Sequence, residues 1–255
     1  MQPELPTKTY RLQIFLLALI IIGLGLIFTR HVWVPRLVNE LLTDEEIKAN
    51  DPAPAQPISI SSKDIKETNF IGKMSVLSGD GNLVAESNKY IAKTISEFKK
   101  QADEQVPDLR KKFGMDNPTA NYTIDISAKL VEGHLTKAMV LTVYTFTGGA
   151  HGSSYYKVFN VFTTSDKIIT LSDTIKNEKH TEFTNLVKKE LKNWKPDGYS
   201  VVFPETVDGL FFASFKSWSL DKENLVLYFD QYEVGPGSLG AFPFPIPLKK
   251  LPDFF

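Results

Sequence analysis

Cysteine is absent from this chain, which removes a disulfide framework, a thiolate nucleophile and any zinc-thiolate site from consideration. Charge of either sign is not in excess: 29 basic against 30 acidic residues leave a formal net charge of −1. A nucleic-acid-binding protein would carry a basic face, so that class is set aside. Histidine is sparse and scattered, at His31, His134, His151 and His180, with no His-x-x-x-His pair and no cluster of carboxylates beside it. No metal site is therefore expected. Neither a dinucleotide fingerprint nor a Walker loop occurs, so no cofactor is expected either. A Gly-x-Ser-x-Gly elbow is also lacking.

One long apolar run is present, from Leu12 to Phe28, broken only by Gln13, Gly23 and Gly25. At 1.5 Å per residue it reaches ~25 Å, close to the ~30 Å hydrocarbon core. Tyr10 and Trp33 stand at interfacial positions, and Lys8, Arg11, Arg30 and Arg36 can snorkel from the two ends. No Ala-x-Ala site follows Phe28, which favours an uncleaved anchor over a signal peptide. The expected organisation is a short cytoplasmic tail at 1–11, a single-pass transmembrane helix at 12–34, and an amphipathic stalk and Pro-rich linker at 35–62. The C-terminal region then lies outside the cell membrane, as a companion segment at 63–143 and a further segment at 144–255.

Within 63–255 the periodicities are mixed. Phe70 to Leu77 reads as a strand, Gly79 to Asn82 as a turn, and Val84, Ile91, Ile95, Phe98 and Ala102 as the inner face of a helix ending before Pro107. Tyr122 to Leu130 alternates strictly. Phe183, Leu186, Val187, Leu191 and Trp194 mark a second amphipathic helix that Pro196 stops. Phe203, Phe211, Phe212, Phe215 and Trp218 are expected in an aromatic core, and Ser214–Leu220 with Leu225–Tyr232 as a hairpin. In Phe242 to Leu248 prolines alternate with apolar residues, so one strand edge loses its N–H donors while the other can pair. The fold class is α+β: an antiparallel sheet with two packed amphipathic helices, preceded by one transmembrane helix.

The most unusual local chemistry lies between two β-patterned runs, in Thr147-Gly148-Gly149-Ala150-His151-Gly152. Glycines there permit a sharp hairpin corner that presents His151. The corner is either architectural or a binding loop. Gly148, Gly149, His151 and Gly152, with Tyr144, Tyr156 and Tyr232, are the candidate ligand-binding residues, because a phenol joins apolar area to a polar tip. His151 beside Ser153 and Ser154, with Asp173 or Asp230 as orienting acid, is the residue set a small hydrolase would need. No catalytic residue is assigned, since nothing in the sequence fixes that geometry.

The string Tyr144 to Gly152, the following Leu171-Ser172-Asp173, and Tyr228 to Pro236 with Gly240 resemble the C-terminal extracytoplasmic domain of RsiV-type anti-sigma factors and the non-catalytic part of the peptidoglycan deacetylase PdaC. Leu77-Ser78-Gly79 and Ala85-Glu86-Ser87-Asn88 resemble the companion domain that precedes it. The resemblance implies an envelope setting and recognition of an extracytoplasmic protein such as lysozyme, or of a peptidoglycan fragment. The segment 1–11 is too short for a sigma-factor-binding domain, so a binding role without anti-sigma activity is expected. A hydrolase centred on His151 and a passive structural domain are the alternatives.

Overall fold

Alternating apolar and polar residues fill the middle of the chain, and in the computed structural model they become the layers of an α+β domain. The structure describes residues 56–114, 122–196 and 201–255. Contacts divide the chain into Met1–Pro54 and Ala55–Phe255, and all described residues belong to the second unit. The predicted anchor at 12–34 therefore lies outside the described residues, as does most of the stalk. Among the described residues no helix is long and apolar enough to cross a membrane.

Strands β1 (Ser59–Lys66), β2 (Phe70–Ser78), β3 (Tyr122–Glu132), β4 (Thr136–Phe146), β5 (Ser153–Phe162) and β6 (Ile168–Ile169) form a six-stranded sheet in that order. Helix α1 (Asn82–Phe113) joins β2 to β3, and this pair is parallel while every other neighbour in the sheet is antiparallel. The reason is connective: a helix between two strands carries the chain back to the starting end, which only a parallel partner can use. The sheet is thus antiparallel-rich rather than wholly antiparallel as expected. Strand β1 begins within the stretch read as linker. Seven of its eight residues are exposed, so it has no apolar face for a sequence pattern to reveal.

Helix α1 lays Val84, Ile91, Phe98 and Ala102 on the sheet, the face the spacing predicts, against Phe70, Ile124, Ile126 and Leu141. Burying a side chain such as Val84, Ile91 or Phe98 is worth about 1.5–3 kcal/mol over leaving it in water. The helix does not stop before Pro107 but runs through it to Phe113. A proline inside a helix costs ~3 kcal/mol. Against that, Val106 is fully buried, and Arg110 donates to Asn69 Oδ1 at 3.1 Å and to the Thr68 carbonyl at 2.9 Å, which holds the extra turns.

A three-stranded antiparallel sheet follows, β7 (Trp218–Leu220), β8 (Asn224–Phe229) and β9 (Phe242–Pro247). Helix α2 (His180–Asn193) packs Phe183, Val187 and Leu191 against Trp218, Leu225, Leu227 and Phe229. A five-residue helix, α3 (Pro204–Asp208), precedes this sheet. The opposite face turns toward the larger sheet, where Tyr228 meets Val140, Val158 and Tyr156. The expected hairpin is shorter than its apolar run: Phe212–Ser214 is a 3₁₀ turn, and β8 ends at Phe229 because the chain turns at Asp230. Phe203 and Phe211 are exposed, at 44% and 65%, contrary to the expected core, whereas Phe215 and Trp218 are buried in it. Strand β9 buries Phe242, Phe244 and Ile246 and exposes Pro243 and Pro245.

Candidate functional site

The hairpin β4–β5 pairs Thr145 with Ser153 as its last rung, so residues 147–152 form the corner, as the sequence implies. Gly148 and Gly149 hold φ of 86° and 104°, where a Cβ brings strain, and the space beside Gly149 is open. The next close approach belongs to Gly152: a Cβ there would lie 2.4 Å from the Tyr144 ring. Tyr144 therefore lies over the corner because Gly152 leaves room for it.

A second turn reaches this corner from the end of β8. Gln231 donates its backbone N–H to the Ser154 carbonyl at 3.2 Å, and its side-chain oxygen accepts the Ser154 N–H at 3.0 Å. Its side-chain nitrogen donates to the Gly237 carbonyl at 2.8 Å, closing the turn on itself. Tyr232, at the tip, has φ of 70°, a conformation unusual for a bulky side chain. Its ring lies over Gly237, where a Cβ would come within 2.1 Å of it. The hydroxyl meets His151 Nε2 at 3.1 Å. His151 Nδ1 is 2.9 Å from the Gly152 carbonyl, which only accepts, so Nδ1 carries the proton and Nε2 of the neutral ring accepts from the phenol.

Tyr144, Gly148, Gly149, His151, Gly152 and Tyr232 are thus brought together as one exposed platform, with Tyr144 at 36% and Tyr232 at 57% exposure. Tyr156 does not belong to it. That ring packs against Tyr228, centroids 4.9 Å apart, and lines a neighbouring cleft of about 470 Å³. Leu210, Ser214, Lys216, Asp230 and Glu233 line the same cleft. Asp230 accepts the Tyr156 N–H at 2.7 Å, and Glu233 accepts the Asp230 N–H at 2.7 Å. Burial pushes both carboxyls above their ordinary range, and the Asp230 charge adds to the rise at Glu233. Burial also raises the Tyr156 and Tyr228 phenols.

The residues of the hydrolase alternative are not assembled. His151 bonds to Gly152 and Tyr232, Asp230 to Tyr156, and Asp173 to the Thr170 hydroxyl and N–H, which lower its pKa. Ser153 is exposed at the strand entrance. Among the described residues no three histidine, aspartate or glutamate side chains gather as a metal would require. The sequence suggests Asp230 only as a partner for His151, and it does not single out Glu233 or Lys216. The string Asp230 to Pro236 carries the signal, but alternation says nothing about a turn.

An α+β domain with a two-loop platform and an adjacent cleft lined by two carboxyls and two lysines is therefore the class. Residues 165–249 match DUF3298, a family described as a protein of unknown function. It is 30% identical over 120 residues to an esterase of Mycobacterium tuberculosis, across 46% of this chain and 51% of that protein. It is 24% identical over 164 residues to the peptidoglycan-N-acetylmuramic acid deacetylase PdaC of Bacillus subtilis, across 62% of this chain and 35% of that protein. The chain thus spans about half and about a third of these relatives' lengths. Two solved DUF3298 structures share the fold. One from Bacteroides fragilis gives a TM-score of 0.55 at 16% identity, over 78% of this chain and 94% of that one. One from Pseudomonas aeruginosa gives 0.53 at 18% identity, over 80% and 95%.

Proposed function

We propose that this chain is a recognition module of the cell envelope, tethered by the apolar run Leu12–Phe28, with its α+β domain outside the membrane. It binds an extracytoplasmic protein of the lysozyme kind through Tyr144, His151 and Tyr232, and a peptidoglycan fragment is the second candidate ligand. The observation that carries this is the bond between His151 and Tyr232, which locks two turns into one exposed aromatic surface. Aromatic residues held on fixed turns contribute contact area with little ordering cost, as binding surfaces require. The resemblance to RsiV-type sensors and the kinship with PdaC supply the envelope setting.

A second reading has its own observation: two carboxyls with raised affinity for protons share a cleft with Lys216 and two tyrosines, and one relative is named an esterase. Both readings are tested on the full chain. Immobilised protein is exposed to lysozyme and to purified muropeptides, and in parallel to p-nitrophenyl acetate and N-acetylated glycan. Saturable binding of lysozyme or a muropeptide without turnover is the expected result. Turnover lost in Asp230→Asn and Glu233→Gln would replace it with the hydrolase.

A further inference from the structure

Strand β5 is paired along its whole length with β4, in unbroken register from Thr136↔Phe162 to Thr145↔Ser153. On its other edge β6 covers only Asn160 and Val161. The remaining outward main-chain groups belong to alternate residues, and two of these are capped. Ser154 N–H goes to Gln231, Tyr156 N–H to Asp230, and the Tyr156 carbonyl receives the Ser217 hydroxyl at 3.4 Å. The next residue in the alternation is Val158. Its N–H and C=O point the same way, and neither has a partner among the described residues beyond β5's own strand.

Val158 opens onto a cleft of about 580 Å³ at the fork where β6 leaves β5. Its walls are mainly apolar, from Ile169, Leu171, Phe212, Phe215 and Trp218, with Lys157, Lys216 and His180 also lining it. Asn160 lines it too: only 1% exposed, it donates its amide to the Trp218 carbonyl at 2.8 Å, while its Oδ1 has no partner.

We infer that this fork is a docking slot for an extended peptide of a partner protein, paired through Val158 and seating one apolar side chain in the cleft. The geometry selects the class. An N–H and a C=O on one side of a single strand residue are matched by one residue of an extended peptide, whose own pair faces the same way. The N–H and C=O of a lone trans amide, as in an N-acetyl sugar, point in opposite directions and cannot engage both. Capped neighbours on one side and β6 on the other limit the pairing to a single residue, so the apolar pocket supplies the selectivity. This slot is separate from the His151 platform and does not depend on it.

The test uses the full chain and linear heptapeptides selected from a phage-displayed library, with the selected peptide resynthesised and labelled. Binding should slow hydrogen exchange at the Val158 amide. N-methylation of one peptide residue should weaken binding about tenfold or more, while N-methylation of its neighbours should not, because only alternate amides face the slot. Val158→Pro removes the edge donor. Ala213→Trp, on the exposed loop lining the cleft, fills the pocket without touching the core and decides the matter if Val158→Pro does not fold. Both should weaken binding, whereas Tyr232→Ala should not. The proposal is overturned if no sequence is selected, if Val158 exchange is unmoved, if Ala213→Trp binds as tightly as the parent, or if tri-N-acetylchitotriose protects Val158 in the peptide's place.

Discussion

His151 and Tyr232, 81 positions apart in the chain, meet at 3.1 Å and join the β4–β5 corner to the turn after β8. The bond links the six-stranded sheet to the three-stranded one at an exposed point. An exposed hydrogen bond contributes only about 0.5–1.5 kcal/mol, so its role is to position rather than to hold the fold. His151→Ala should therefore leave thermal stability nearly unchanged, within about 1 kcal/mol, and scanning calorimetry checks this.

Two glycine substitutions should separate surface from scaffold. At Gly152 a Cβ meets the far end of the exposed Tyr144 ring, which can swing aside. Gly152→Ala should cost little stability while displacing Tyr144 from the platform. At Gly72 a Cβ would lie 1.7 Å from the Ile124 carbonyl oxygen, within the parallel β2–β3 pair. Gly72→Ala has to push these strands apart and should cost ~3 kcal/mol or more. Urea titration of both variants measures the contrast; equal losses would contradict the placement of β2 against β3.

The cleft carboxyls should give stability an inverted pH dependence. Burial raises Asp230 and Glu233 above their ordinary values of 3.8 and 4.5, so the folded state keeps these protons to higher pH than the unfolded chain. Between the unfolded and folded pKa the native state binds more protons, and unfolding free energy falls as pH rises through that interval. Asp173, lowered by Thr170, acts in the opposite sense, contributing stability that is lost as pH falls through its folded pKa. Asp230→Asn keeps an oxygen for the Tyr156 N–H and should flatten the decline above its ordinary value of 3.8. A melting-temperature profile identical to the parent's would show that Asp230 is not desolvated.

Strand β9 forms the outer edge of the smaller sheet, with Phe244 opposite Leu227 and Pro243 opposite Tyr228. Its proline positions leave the free edge without donors. Replacing Pro243, Pro245 and Pro247 together by Thr should restore that edge and raise self-association, visible in light scattering. An unchanged monomer would mean that the free edge is shielded by other means.

Legibility followed the apolar face. Strands β2 to β5 and both long helices were readable because one side of each is buried and the period shows, and the corner because its glycines cluster between two such runs. Strand β1 was not, since its residues are nearly all solvent-facing. Helix α1 past Pro107 was not, because contacts from Asn69 and Thr68, distant in sequence, outweigh the local cost of proline. Of the candidate residues, Tyr232 lies against the corner through His151, while Tyr156 lines a different cleft. The roles of Asp230 and Glu233 depend on a turn docking against the edge of β5, and such pairing leaves no periodic trace in either segment.

The central claim is that the two-turn platform recognises an envelope partner. Its most direct test is the affinity of the full chain for lysozyme by biolayer interferometry, parent against Tyr232→Ala, with both melting curves recorded. The account predicts a loss of at least about tenfold, or ~1.4 kcal/mol, at unchanged melting temperature. Equal affinity of the two proteins, or no binding by either to lysozyme or muropeptides, would contradict it.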